Sequence, residues 1–181
     1  QIGLDANGLY ISTNEFNLWG SGDFRAAQLY AIDKSYLASG DSSPYSSYFE
    51  NVPSSGSLPG YGAYTLQPVN GLPAQLVANS MYFGHSWAPW VDAPTNQFSV
   101  YRLSGTNNLS TATLQESVVT SGISYIYPPD GAVQRSGSTP NLDDYNKGNS
   151  YPGFPHIAPP IPLATGGSGK FMGAWISRGY L

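Results

Sequence analysis

Serine, histidine and paired carboxylates carry most hydrolytic chemistry, and this chain holds two arrangements to weigh on that ground. Gly84-His85-Ser86-Trp87-Ala88 approaches the G-x-S-x-G turn that lifts a nucleophilic serine above a sheet. Asp143, Asp144 and His156 come later, in the chain order of a Ser-Asp-His triad. That turn requires a helix directly after the serine, and here Pro89 and Pro94 forbid one. The closing glycine is also replaced, by Ala88. These residues fit better as a loop that buries Trp87 or Trp90. Glu15 and Asp23 lie near one another in sequence and could form a carboxylate pair for glycoside hydrolysis. Surface carboxylates explain them more cheaply.

Metal chemistry has thin support. Asp5-Ala6-Asn7-Gly8 begins like a calcium loop, but its glycine arrives too early and the bidentate glutamate is missing. A hairpin turn accounts for it, since an Asx residue followed by glycine supplies the backbone angles a tight turn needs. Asp143 and Asp144, with Asn141 and Asn146 beside them, form the one oxygen-rich group that suits Ca2+; no other cofactor is implied. His85 and His156 are too far apart in sequence to argue for a transition-metal site. The aromatic residues in connections are the better site candidates: Tyr45, Tyr48, Tyr61, Trp87 and Trp90. Ring faces bordered by Asn, Ser and Asp suit a glycan or a peptide. The competing reading has these rings packed down on their own loops, or against a sheet outside this chain.

The elements that position these residues are strands. A strand-pair pattern occurs twice: Gly8 to Phe16 followed by Ala27 to Leu37, then Ala74 to Phe83 followed by Gln97 to Leu109. In each copy a strand is followed by a loop and a second strand opening at glutamine, Gln28 or Gln97, with apolar residues at alternate positions. Repetition of a β unit within one chain is the mark of radial or stacked β architecture. The pattern predicts a hairpin over 1–16, a helical turn over 34–39, a short strand at 48–52, and strands near 64, at 98–103 and at 112–120. From 125 to 169 the chain is dense in Pro, Gly, Asn and Asp and predicts no strand; one returns at 170–177. This divides the chain into a first blade-like unit over 1–63, a second over 64–122, and a Pro/Gly-rich excursion with the start of a third over 123–181.

Composition sets outer bounds. The chain has 181 residues, of which 40% are hydrophobic and 14% aromatic, enough to build a core, while only 10% are charged. A net charge of −4 and a pI near 4.8 exclude a polyanionic partner, because phosphate neutralisation needs clustered lysine and arginine. The seven basic residues are scattered singly, so no nucleic acid is expected. Absence of cysteine excludes a disulfide framework and thiolate chemistry. No apolar run reaches the roughly eighteen residues of a membrane span. A neutral surface rich in Ser, Thr, Asn and Tyr points to an exported bacterial protein, secreted or held at the cell surface.

Four segments carry a family resemblance: IGLDANGLYISTNEF, AAQLYAIDKSYLASG, FSVYRLSG and YIYPPDGAVQRSG. They resemble secreted bacterial β-propeller proteins that are loosely labelled sialidase-like or WD40-like. The resemblance covers roughly residues 1–137 and is structural, so it transfers no catalytic residues. It implies an all-β fold of antiparallel four-stranded blades in an incomplete β-propeller, because a closed one typically has four to eight blades. The chain is therefore expected to be an internal piece of a longer protein. A sialidase would need converging arginines, a Tyr/Glu pair and an acid, and the spacing here gives no sign of them; the Asp-box repeat is absent.

The function these readings favour is a non-catalytic extracellular or cell-surface binding or structural module, meeting a glycan or a protein through loop aromatics. A glycan-acting propeller hydrolase is the alternative. A third is a structural protein that self-associates through exposed blade edges.

Overall fold

In the computed structural model the Asp5 carboxylate accepts hydrogen bonds from the backbone N–H groups of Asn7 and Gly8, both at 2.7 Å. The structure describes residues 1–18, 22–40, 46–55, 62–64, 66–69, 78–86, 95–126, 158–163, 170–174 and 178–179. The Asp5 turn joins β1 (Ile2–Leu4) to β2 (Gly8–Phe16) as the sequence predicts. β3 (Phe24–Asp33) runs back along β2. A single-turn helix, α1 (Lys34–Ser39), follows; the Asp33 side chain caps its start on the Ser35 N–H, and Gly40 ends it at φ 72°. β4 (Ser46–Phe49) completes a four-stranded antiparallel sheet in the order β1-β2-β3-β4.

The second sheet repeats this meander. β5 (Gln67–Pro68), β6 (Ser80–Ser86), β7 (Thr95–Ser104) and β8 (Thr113–Ile126) pair in sequence order, with a 3-10 turn at Leu109–Thr111 before β8. β9 (Ala158–Leu163) and β10 (Lys170–Ala174) form a separate antiparallel pair. β11 (Arg178–Gly179) adds a fifth strand beyond β8. The fold is all-β, and its sheets form no closed ring among the described residues. Nor is any helix there long and apolar enough to cross a membrane.

Two backbone contacts fix how the units correspond. The Asn7 carbonyl accepts from the Lys34 N–H at 2.9 Å, and the Asn79 carbonyl accepts from the Gly105 N–H at 2.9 Å. Gly8 pairs with Asp33 beside the first contact and Ser80 with Ser104 beside the second. Ala6-Asn7-Gly8-Leu9-Tyr10 is therefore the counterpart of Ala78-Asn79-Ser80-Met81-Tyr82. Counting back along β3 and β7, Tyr30 corresponds to Tyr101 and Gln28 to Ser99. The glutamine frame read from sequence is thus displaced. The strands open earlier than the glutamines, at Phe24 and Thr95, and a bulge in β7 lies between Thr95 and Gln97.

The sheets share one core. Tyr10, Ala27, Leu29 and Ala31 of the first meet Met81, Phe83, Tyr101 and Leu103 of the second, with Val52, Ala63 and Leu66 sealing the join. Tyr10 and Phe83 meet edge to face with centroids 6.1 Å apart. The approach is close at Gly3, where a Cβ would stand 2.4 Å from the Pro68 Cβ and 2.6 Å from the Met81 Cε. A Gly3→Ala variant should therefore lose about 1–3 kcal/mol of stability by overpacking, read as a lower urea midpoint.

Candidate functional site

Ser86 is the last residue of β6, paired with Phe98, and the residues that would complete a serine turn lie outside the described ones. His85 beside it is fully buried. Its Nδ1 sits 2.7 Å from the Tyr64 carbonyl oxygen and 3.2 Å from the Tyr64 backbone nitrogen. With the proton on Nδ1 the ring donates to the nearer carbonyl, and with it on Nε2 the ring accepts from the Tyr64 N–H. Nε2 is buried with no hydrogen-bond partner among the described residues. Burial pushes this imidazole down to about 4, against smaller opposing effects from the Tyr64 backbone and the Glu116 carboxylate. A neutral, enclosed ring of this kind is core material. Trp87, Trp90, Asp143, Asp144 and His156 lie outside the described residues.

The carboxylates are occupied with structure. Glu15 accepts from the Arg25 guanidinium at 3.3 Å and from the Gln28 side-chain amide. Gln28 in turn accepts from the Tyr48 hydroxyl and the Asn51 N–H, each at 2.9 Å, so its buried amide is well supplied with partners. Glu116 draws in more: the Ser55 N–H at 3.0 Å, the Ser55 hydroxyl at 2.8 Å, and the hydroxyls of Ser99 and Tyr101. Tyr101 also donates to the Pro53 carbonyl at 2.7 Å, and burial pushes its phenol up. Together these bonds pin the chain after the first sheet onto β7 and β8. Glu116 and Tyr101 are a clasp between sheets, and sequence gave no sign of it because the partners lie far apart along the chain.

Tyr48 is the one loop aromatic of the sequence reading within the described residues, and it belongs to a strand. Tyr45 and Tyr61 lie outside them. On β4, Tyr48 pairs with Tyr30 of β3, and the two rings stack with centroids 4.8 Å apart. The row continues across the sheet through Ile11 and Ile2. A second row alongside holds Leu4, Leu9 and Ile32. Both rows point away from the shared core, because the intervening Tyr10, Leu29 and Ala31 point into it. They remain open: Ile2 is 62% exposed, Leu4 50%, Tyr48 49% and Tyr30 38%. A continuous apolar face on this scale marks an interaction surface.

A signal for this face was present in the sequence. Leu9-Tyr10-Ile11 and Leu29-Tyr30-Ala31-Ile32 are unbroken apolar runs, and an unbroken run suits a strand covered on both faces. Polar groups border the face where Gln28, Glu15 and Arg25 bind one another. The arrangement can bury apolar surface; it offers no paired acid and base. Among the described residues the chain is all-β, built of repeated antiparallel sheets, and its first sheet carries an open apolar face. Comparisons with protein-family models, with curated proteins and with solved structures find no match for it.

Proposed function

We propose that this chain is a non-catalytic extracellular module of propeller-blade type, and that it works by docking the open face of its first sheet onto another protein. The observation that carries this reading is the exposed row Ile2–Ile11–Tyr30–Tyr48 beside Leu4, Leu9 and Ile32. Protein suits that face better than glycan. A sugar site needs polar groups converging on hydroxyls, whereas these two rows are aliphatic and aromatic across all but one position, Ser46. Export is supported by the sparse charge and the neutral polar surface. The meander, repeated with corresponding turn contacts, supports the blade reading.

The carboxylates favour the non-catalytic side of the choice, since Glu15 is held by Arg25 and Gln28. A panel of chromogenic glycosides and a glycan array test this directly. No turnover is expected, and no glycan signal that disappears in Tyr30→Ala or Tyr48→Ala. Turnover that vanishes in Glu15→Gln would overturn the reading in favour of a hydrolase.

A further inference from the structure

The correspondence between the two units makes the open face more specific than an apolar surface. Leu9 and Ile11 occupy the places of Met81 and Phe83, and Tyr30 and Ile32 those of Tyr101 and Leu103. On the second sheet that face is buried; on the first it is open. The two sheets are therefore packed head to tail: the face of the first that carries Tyr10, Ala27, Leu29 and Ala31 covers the face of the second that carries Met81, Phe83, Tyr101 and Leu103. Such a heterologous contact uses two different surfaces and leaves one of each unmatched. The unmatched surface on the first sheet is a second copy of the core face.

We infer that this open face is the seat of a further four-stranded sheet of the same repeat, presenting a face like Tyr10-Ala27-Leu29-Ala31. The inference rests on the reading of this face as a protein-docking surface. It names the occupant from continuity with the interface already formed inside the chain. A second copy of the chain does not supply that occupant. Its own Tyr10 face is already filled by its second sheet. The far face of the second sheet carries Arg102 where the first has Ala31, and Val100, Ser80 and Gln67 there are already buried. An arginine at that place would set a charge against aliphatic side chains. The occupant is an additional unit of the repeat with a small residue at the Ala31 place.

The test adds such a unit to the full 181-residue chain. A copy of residues 1–63, carrying Tyr30→Phe and Tyr48→Phe, is joined ahead of Gln1 through Gly/Ser linkers of several lengths. Peptide mapping after tetranitromethane then reads the resident Tyr30 and Tyr48 apart from exposed Tyr36 and from the added copy. Their nitration should slow by about tenfold relative to the parent chain, given the high effective concentration a linker provides. The protection should disappear when the added copy carries Ala31→Arg, and again when the resident unit carries Ile11→Lys. Unchanged nitration at every linker length overturns the inference. So does a parent chain that light scattering finds dimeric with both tyrosines already protected, because the face then belongs to a second copy. Neither result touches the non-catalytic reading, which the glycoside panel decides separately.

Discussion

Lowering the pH from 6.5 to 4 should strip about 3 kcal/mol of stability from this protein through His85 alone. The sign follows from where the proton goes. Unfolded, the imidazole titrates at its ordinary 6.5; folded, burial holds it down to about 4. Above pH 6.5 both states carry a neutral ring and the histidine contributes no pH dependence. Below it the unfolded chain takes up a proton that the folded one refuses, and stability falls until the folded ring titrates too. Asp33 stays out of this window: its exposed carboxyl is held below its ordinary 3.8 by Ser35, so its own contribution is lost only at lower pH. Urea midpoints measured at intervals between pH 7.5 and 4.5 check this. His85→Gln, which keeps an amide to bond the Tyr64 carbonyl, should lose most of the slope. Equal slopes in both proteins would show that some other group governs acid unfolding.

The same histidine shows how the sequence could be read and where it misled. By sequence His85 belongs to a candidate serine turn, yet it stands at the place Thr13 takes in the first unit and serves the core. Local turn and strand chemistry was legible. Asp5 and Gly8 specified the first hairpin, and α1 falls on 34–39 with Asp33 and Gly40 as caps. In the second unit β7 and β8 contain the segments 98–103 and 113–120 that alternation marks, and β8 continues through Ile126. The strand expected over 74–83 is displaced: a turn occupies 78–79 and β6 runs Ser80–Ser86. β9 was not legible, because Pro159, Pro160 and Pro162 argue against a strand. Among the described residues it pairs only with β10, and an edge strand tolerates residues that lack an N–H. The open face was missed for a different reason. Apolar runs were read strand by strand, whereas the face exists only once the register aligns Ile2, Ile11, Tyr30 and Tyr48 in one row. Tyr48, a connection aromatic by sequence alone, stands at the end of that row.

Phe83 and Ile11 hold the same place in their respective units, and their truncation should have very different consequences. Phe83→Ala is expected to cost about 3–5 kcal/mol, the usual range for a buried phenylalanine. Its ring is 1% exposed, lies edge to face with Tyr10, and sits in the core beside Met81 and Tyr101. A cavity there would open in the middle of the join between sheets. Ile11→Ala should cost about 1 kcal/mol or less, because its side chain is only half-buried and stands on the sheet's outer face between Ile2 and Tyr30. Both values come from urea unfolding of the 181-residue chain, with an unchanged denaturant slope as the condition for comparing them. Equal losses would mean that the outer face is already covered, and the asymmetry between the two sheets would not exist. The ratio then becomes a gauge of cover. With a further sheet docked on the outer face, the cost of Ile11→Ala should climb, since the same deletion would now leave a cavity with partner atoms on both sides. Position in the repeat fixes what each residue is shaped to do, and the neighbour across the face determines how much stability that shape returns.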